Sequence, residues 1–153
     1  MAALRRDGIP IEAVTNRGYT LAQSVDVLNA AAVAVQLDET TVKALQIEVV
    51  DRLPGTNAAL RSRADAGARE GLVLIAQAQS AGRGRGGHSF YSPPGGLYMS
   101  ILLRPEIGAR QAVGLTAMAA VAAARAAERL CGVPITIKWV NDLRKNGKKV
   151  CGI

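Results

Sequence analysis

Two short stretches carry residue types that could handle a charged substrate. In Gly82-Arg83-Gly84-Arg85-Gly86-Gly87, glycines free backbone N–H groups to gather around an anion, and arginines add fork-shaped donors for phosphate or carboxylate. No Gly-Lys-Ser/Thr follows, and the next element reads as a strand, so the loop is neither a P-loop nor a dinucleotide fingerprint. An RNA-tethering Arg-Gly segment or an inert flexible loop stays open on composition alone. In the second stretch, Lys138-Trp139-Val140-Asn141-Asp142 is followed by Lys148 and Lys149. Asn-Asp at a strand end suits Mg²⁺ or a nucleotide, with Lys149 just beyond a turn. A hairpin with a solvated basic face is the plainer alternative, with Trp139 as a core anchor. Cys131, Cys151 and the single His88 have no metal-ligand spacing, and the two thiols read as small buried or half-buried side chains in a reducing compartment.

The charge supports an anionic partner. The net +7 is unevenly spread: residues 1–82 hold 8 Lys/Arg against 9 Asp/Glu, and residues 83–153 hold 11 against 3. Hydrophobic residues are 49% of the 153 and aromatics only 3%, so a core must be made from Ala, Val, Leu and Ile. This composition excludes disordered, collagen-like and disulfide-framework classes. The Ala112–Ala124 run is too short to span a bilayer and the N-terminus is charged at Arg5, Arg6 and Asp7. A cytoplasmic protein without membrane contact is expected.

The elements that must position these residues follow from patterning. Ala2–Asp7 reads as the last turn of a helix ended by Gly8. Pro10–Thr15, the turn Asn16-Arg17-Gly18 and Tyr19–Leu21 then read as a strand hairpin with the outline of a wing. A helix is predicted over Asp26–Gln36, broken or recapped at Asp38–Thr41. Gln46–Asp51 is a strand, and Ala58–Ala68 a helix capped by Thr56 or Asn57. Leu72–Ala76 is apolar throughout, the pattern of a strand buried on both faces. Beyond the Ser80–Gly96 loop come a strand over Leu97–Leu103 and a helix over Gln111–Leu130. Its core stripe is read as Leu115, Met118, Ala119, Val121, Ala122, Ala126 and Leu130. Ile135–Val140 is a strand, and Asn146-Gly147 turns one further strand into the next. The class is α/β (α+β), a mixed β-sheet flanked by helices. Val150–Ile153 stops mid-strand, so the sequence reads as a piece cut at both ends.

Three ordered motifs resemble biotin–protein ligases. Residues 79–104 (QSAGRGRGGHSFYSPPGGLYMSILLR) are similar to that family's biotin-binding loop and following strand. Residues 138–143 (KWVNDL) followed by 146–153 (NGKKVCGI) are similar to its second signature, and Thr56-Asn57 before a helix to its first. Leu4–Leu21 resembles the wing of the DNA-binding domain in its bifunctional ligase–repressor members. The resemblance implies a class II synthetase or biotin–lipoate ligase-like fold. Residues 1–22 would be the remnant of a winged helix-turn-helix domain and 23–153 the N-terminal part of the catalytic domain.

It also implies an enzyme that joins biotin and ATP, with Mg²⁺, into biotinoyl-AMP. The acyl group then passes to a lysine of a biotin carboxyl carrier protein. Gly55, Thr56, Asn57, Gln79, Arg83, Gly84, Arg85 and Lys149 fall where the family holds biotin, with Lys149, Arg83 and Arg85 as the catalytic cations. Asn141 and Asp142 fall near the nucleotide and metal, with Asp142 as the metal ligand. Chemically this fits, because two anions must meet and preplaced cations offset their repulsion and stabilise the charge that builds on phosphoryl oxygens. A flexible loop closing over the product would exclude water. The sequence departs from the family at four places: Gly55 stands for Ser, Val140 for Pro, and Gly86 and His88 where Arg is common. A lipoate-ligase-like enzyme and a non-catalytic biotin-binding or regulatory fragment are the alternatives. DNA binding is not expected of this chain alone, inactivity of the piece stays open, and so does a homodimer.

Overall fold

The computed structural model of the chain describes residues 11–21 and 28–153. The helical turn and Gly8 cap expected before Pro10, and the start of the helix expected from Asp26, lie outside those residues. Strands β1 (Ile11–Val14) and β2 (Gly18–Leu21) pair antiparallel, with Asn16 at φ 59° in the turn, so the expected hairpin is present. The remainder has two compact parts, one up to Leu103 and one from Arg104.

In the first part, α1 (Ala30–Ala34) and α2 (Glu39–Ala44) are short helices capped by Asn29 and Asp38, whose side chains accept from Ala32 N and Thr41 N. The acidic cap at Asp38 is held below the usual carboxylate range, first by the Thr41 hydroxyl and then by the Thr41 N–H. Then follow β3 (Gln46–Leu53), α3 (Thr56–Asp65), β4 (Leu72–Gln79) and β5 (Tyr98–Ile101). The sheet order is β3-β4-β5, with β3 and β4 parallel and β5 antiparallel to β4. The central strand is β4, which explains its unbroken apolar run: Leu72 to Ala76 are all buried. Leu60 of α3 packs on Leu72 and Leu74, with Val50, Leu53 and Leu102 around them.

In the second part, α4 (Ala109–Cys131) ends at Gly132 in the left-handed conformation, φ 63°. The antiparallel sheet β6 (Thr136–Lys138), β7 (Asp142–Lys145) and β8 (Lys148–Gly152) follows. Asn146 and Gly147, at φ 50° and 75°, make the tight turn between β7 and β8 that their pairing signals. Ala120 and Ala124 of α4 are buried against Leu143, Ile135, Ile137 and Cys151.

That packing corrects the expected helix face. Met118 is 62% exposed, Val121 42% and Leu130 87%, so the large apolar side chains point away from the sheet and two alanines make the contact. A methyl group lets the helix axis come closer to the sheet than Met or Leu would, and close packing rewards that approach. Trp139 is 80% exposed and is no core anchor. Cys131 is exposed, not buried, and Cys151 is half-buried, with burial raising its thiol pKa. Among the described residues no helix is long and apolar enough to cross a membrane.

Candidate functional site

The residues singled out by sequence divide between the two parts. In the first, they sit at the C-terminal ends of β3 and β4, where parallel strands open onto loops. The loops leaving these strands are stitched together by Ser80 N to Leu53 O (3.0 Å) and Ala81 N to Pro54 O (2.8 Å). Helix α3 begins at Thr56 itself, with Gly55 as its N-cap and no side-chain cap, so neither Thr56 nor Asn57 caps it. Their side chains are used elsewhere. Gln79 Oε1 accepts from Thr56 N at 2.8 Å and lies 3.3 Å from the Thr56 hydroxyl. The Nε2 of Gln79 donates to Ser92 Oγ at 2.9 Å, and Ser92 donates to Phe90 O at 3.1 Å. Ser100 Oγ stands 2.9 Å from Thr56 Oγ1 and 2.6 Å from Asn57 Oδ1. Its single proton serves one of them at a time. Thr56, Ser92 and Ser100 are buried, whereas Asn57 is exposed and its Nδ2 makes no hydrogen bond among the described residues.

The network orients the Gln79 amide from both ends, which fixes a set of uncharged donors and acceptors without mobile charge. Sequence reasoning missed Ser92 and Ser100. Both lie within the quoted motif, but a serine in a strand pattern has no signal that distinguishes it from a surface residue. Gly55 has φ −172°, extended backbone open to any residue, and a Cβ there would meet only Ala81 O at 3.7 Å and Gln79 Oε1 at 3.8 Å.

The Arg-Gly loop is more ordered than a flexible tether. Arg83 pairs with Ser89 and Gln79 with Ser92 in isolated antiparallel bridges, with Gly84 N to His88 O and Phe90 N to Gly82 O both at 2.8 Å. These bonds occupy the Gly84 N–H, so the expected open nest of backbone donors is partly spent in a ribbon. Its tip is the single turn Arg85–Gly87, where Gly86 (φ 69°) and Gly87 (φ 82°) take the left-handed conformation. Gly82 is required for space: a Cβ would come within 2.5 Å of Ser92 Oγ and 2.6 Å of Phe90 O. Arg83 is exposed on this ribbon, and Arg85 lies at its tip.

In the second part, Lys149 Nζ is 2.8 Å from Asp142 Oδ1. Asn141 Nδ2 donates to the same Oδ1 at 3.1 Å, and Asn141 O accepts from Ile153 N at 2.9 Å. The hydrogen bond from Lys149 holds the Asp142 carboxyl below its ordinary value. Desolvation opposes this, and the charges of Lys149, Lys138 and Arg144 add to it. Gly152 faces Asp142 across the ladder, and a Cβ there would lie 3.2 Å from both Lys149 Cε and Nζ. The bare glycine is therefore the track along which Lys149 reaches its partner. Asp142 offers one carboxylate whose Oδ1 is already engaged, and no group of three His, Cys, Asp or Glu gathers among the described residues. This donor set does not hold a metal by itself.

An open groove of about 490 Å³, lined by Gln46, Glu48, Arg63, Arg69 and Leu72 among others, lies at the opposite ends of β3 and β4. The Glu48–Arg63 ion pair spans it, and none of the candidate residues line it.

Residues 32–153 match the model of the biotin/lipoate A/B protein ligase family. The chain belongs to that family. It is 36% identical over 151 residues to the bifunctional ligase/repressor of Bacillus subtilis, which covers 98% of this chain and 46% of that protein. Among solved structures, the biotin protein ligase of Aquifex aeolicus in complex with biotin and ATP is 30% identical. It aligns with 70% of this chain and 44% of its own at a TM-score of 0.60. The Leishmania major biotin protein ligase with biotinyl-5-AMP is 27% identical at a TM-score of 0.58, covering 70% of this chain and 50% of that one. The chain thus spans about half, 46%, of the Bacillus ligase/repressor. The motif resemblance and the mixed sheet flanked by helices agree with biotin–protein ligases.

Proposed function

We propose that this chain carries the biotin-activating machinery of a biotin–protein ligase. The largely buried, uncharged network of Thr56, Gln79, Ser92 and Ser100 carries this reading. Together with the Asn57 Nδ2, which makes no hydrogen bond among the described residues, it suits a neutral polar ligand whose donors and acceptors must be matched one for one. Biotin's ring system is such a ligand. The pattern sits in a chain whose family handles biotin or lipoate.

In the proposed reaction a biotin carboxylate oxygen attacks the α-phosphorus of ATP. The bond to the bridging oxygen breaks, and pyrophosphate leaves with that electron pair. An amine of the carrier then attacks the acyl carbon, loses a proton, and releases AMP. Lys149 is the cation that leaves Asp142 to meet the carboxylate and α-phosphate. Arg83 and Arg85 offset charge from the ribbon. Neither step needs a side-chain nucleophile. Mg²⁺ would arrive with the nucleotide, supplying further charge neutralisation on the phosphates, and Asp142 with Asn141 would face it. The carrier is a biotin carboxyl carrier domain, the compartment the cytoplasm, and residues 1–22 the wing of a regulatory domain.

The test is biotin-dependent exchange of pyrophosphate into ATP by the folded chain. Exchange that requires biotin, is not supported by lipoate, and vanishes in Lys149→Ala supports the reading. Its absence from a folded chain, or equal exchange with lipoate, overturns it.

A further inference from the structure

The face of β6–β8 turned away from α4 holds more cation than the Lys149–Asp142 pair uses. Strand alternation puts Leu143, Ile137 and Cys151 on the side packed against Ala120 and Ala124. Thr136, Lys138, Asp142 and Arg144 lie on the other side, Lys138 paired across from Asp142 and Thr136 across from Arg144. A register shift at Leu143/Arg144 makes Val150 the extra residue of β8 and brings Lys149 opposite Arg144 on that same side. Three cations therefore share a face with one carboxylate, and Asp142 is matched by Lys149 alone at 2.8 Å. The Lys138 side chain makes no hydrogen bond or ion pair among the described residues.

Arg144 is the least satisfied of these groups. Its Nε is shut off from solvent and has no hydrogen-bond partner among the described residues, and its Nη1 has there only a 3.4 Å contact to Gly147 O. A buried donor without an acceptor is costly and rare, and is relieved when an acceptor arrives. Turned outward, the guanidinium would offer its Nε–H and one Nη–H as the two-pronged donor edge that fits a phosphate.

We infer that this face binds a condensed phosphate, with Arg144 taking one phosphate group and Lys138 and Lys149 the other. Asp142 and Arg144 lie two positions apart along β7, about 6.7 Å, and Lys149 stands opposite Arg144, so the cations line a strip with room for two linked phosphates. The inference rests on the proposed function for its ligand, the pyrophosphate leaving group, and assigns Arg144 as the residue that receives it. Arg144 stands outside the residues that the family motifs nominate.

Titration of arginine-¹⁵N-labelled chain tests this by following the Nε–H resonance of Arg144. Pyrophosphate should shift that resonance saturably at a concentration at least tenfold below that needed with orthophosphate. Arg144→Lys, which keeps the charge but lacks the Nε–H, should lose most of the preference, and Arg144→Gln should weaken pyrophosphate binding at least fivefold. Arg110→Gln on α4 should change neither. Equal response to both anions, an unmoved Nε–H at saturation, or unchanged affinity in folded Arg144→Lys overturns the inference. Biotin-dependent exchange separates it from the proposed function. Exchange with an unaltered pyrophosphate dependence in Arg144→Lys sinks the Arg144 site and leaves the ligase reading. Arg144-dependent pyrophosphate binding without any exchange does the reverse.

Discussion

Thr56, Gln79, Ser92 and Ser100 at the C-terminal ends of β3 and β4 are uncharged and bonded to one another, and the charged side chains on the open face of β6–β8 have one ion pair among them. The first set is largely buried. Thr56, Ser92 and Ser100 have almost no contact with solvent, so every donor and acceptor must be matched within the protein or by a ligand. The second set is half exposed, where water and salt screen the charges and a partner can be exchanged at small cost. Buried neutral networks hold shape and discriminate by fit. Exposed ions act on charge, and can let go of one partner to take another. A protein that must recognise one ligand by its outline and move charge on another has use for both.

The sharpest way to break the comparison is to disturb fit in the neutral set. Gly82→Ala puts a Cβ into Ser92 Oγ and Phe90 O, backbone and buried hydroxyl that cannot swing away. We expect a loss of about 1–3 kcal/mol in urea unfolding together with loss of biotin binding. A variant of wild-type stability would mean that the network is loose and the contrast false.

The charged set should answer to pH instead. Because the Asp142 carboxyl is lowered in the folded chain, the stability it lends is present above the ordinary value of 3.8. It is withdrawn as pH falls through the lower native value. Lys149→Met removes the leading cause, so the Asp142 carboxyl, followed by ¹³C NMR, should titrate at higher pH. The stability that Asp142 lends above 3.8 should then be missing at pH 7, and the variant's melting profile should fall less steeply on acidification than the wild type's, the two converging at low pH. An unmoved Asp142 would mean that Lys138 and Arg144 already suffice.

The smallest effect is expected where space is free. Gly55→Ser enters extended backbone with no close contact, and places a hydroxyl at the N-cap of α3 beside Gln79. A gain of a few tenths of a kcal/mol from the cap and tighter biotin binding by calorimetry should follow. Weaker binding would show that Gly55 is needed as glycine.

Much of this was legible in the residues. The apolar run Leu72–Ala76 announced a central strand, Asn146-Gly147 the tight turn between β7 and β8, and Thr56, Asn57, Gln79, Asp142 and Lys149 the places where polar groups meet. Each depends on backbone propensity or on a local motif, which neighbours in sequence carry. Other features had no such signal. Ser100 became a bridging hydroxyl only because β5 pairs antiparallel with β4 and brings it to Thr56, 44 positions away. The Arg-Gly loop became a ribbon through bonds between its own two arms. The stripe Met118, Val121 and Leu130 looks like the core face of α4 by size and periodicity, yet Ala120 and Ala124 take the contact.

By itself, then, the sequence determined which segments are strands and helices, the charge imbalance, the motifs that mark the family, and most of the candidate site residues. These are properties of single residues and of their immediate spacing. Tertiary structure alone decided which helix face is buried, that Trp139 stays in solvent, and that Arg144 keeps a buried donor without an acceptor. Such outcomes depend on the surface that a side chain meets, and that surface is assembled from residues far away in the chain.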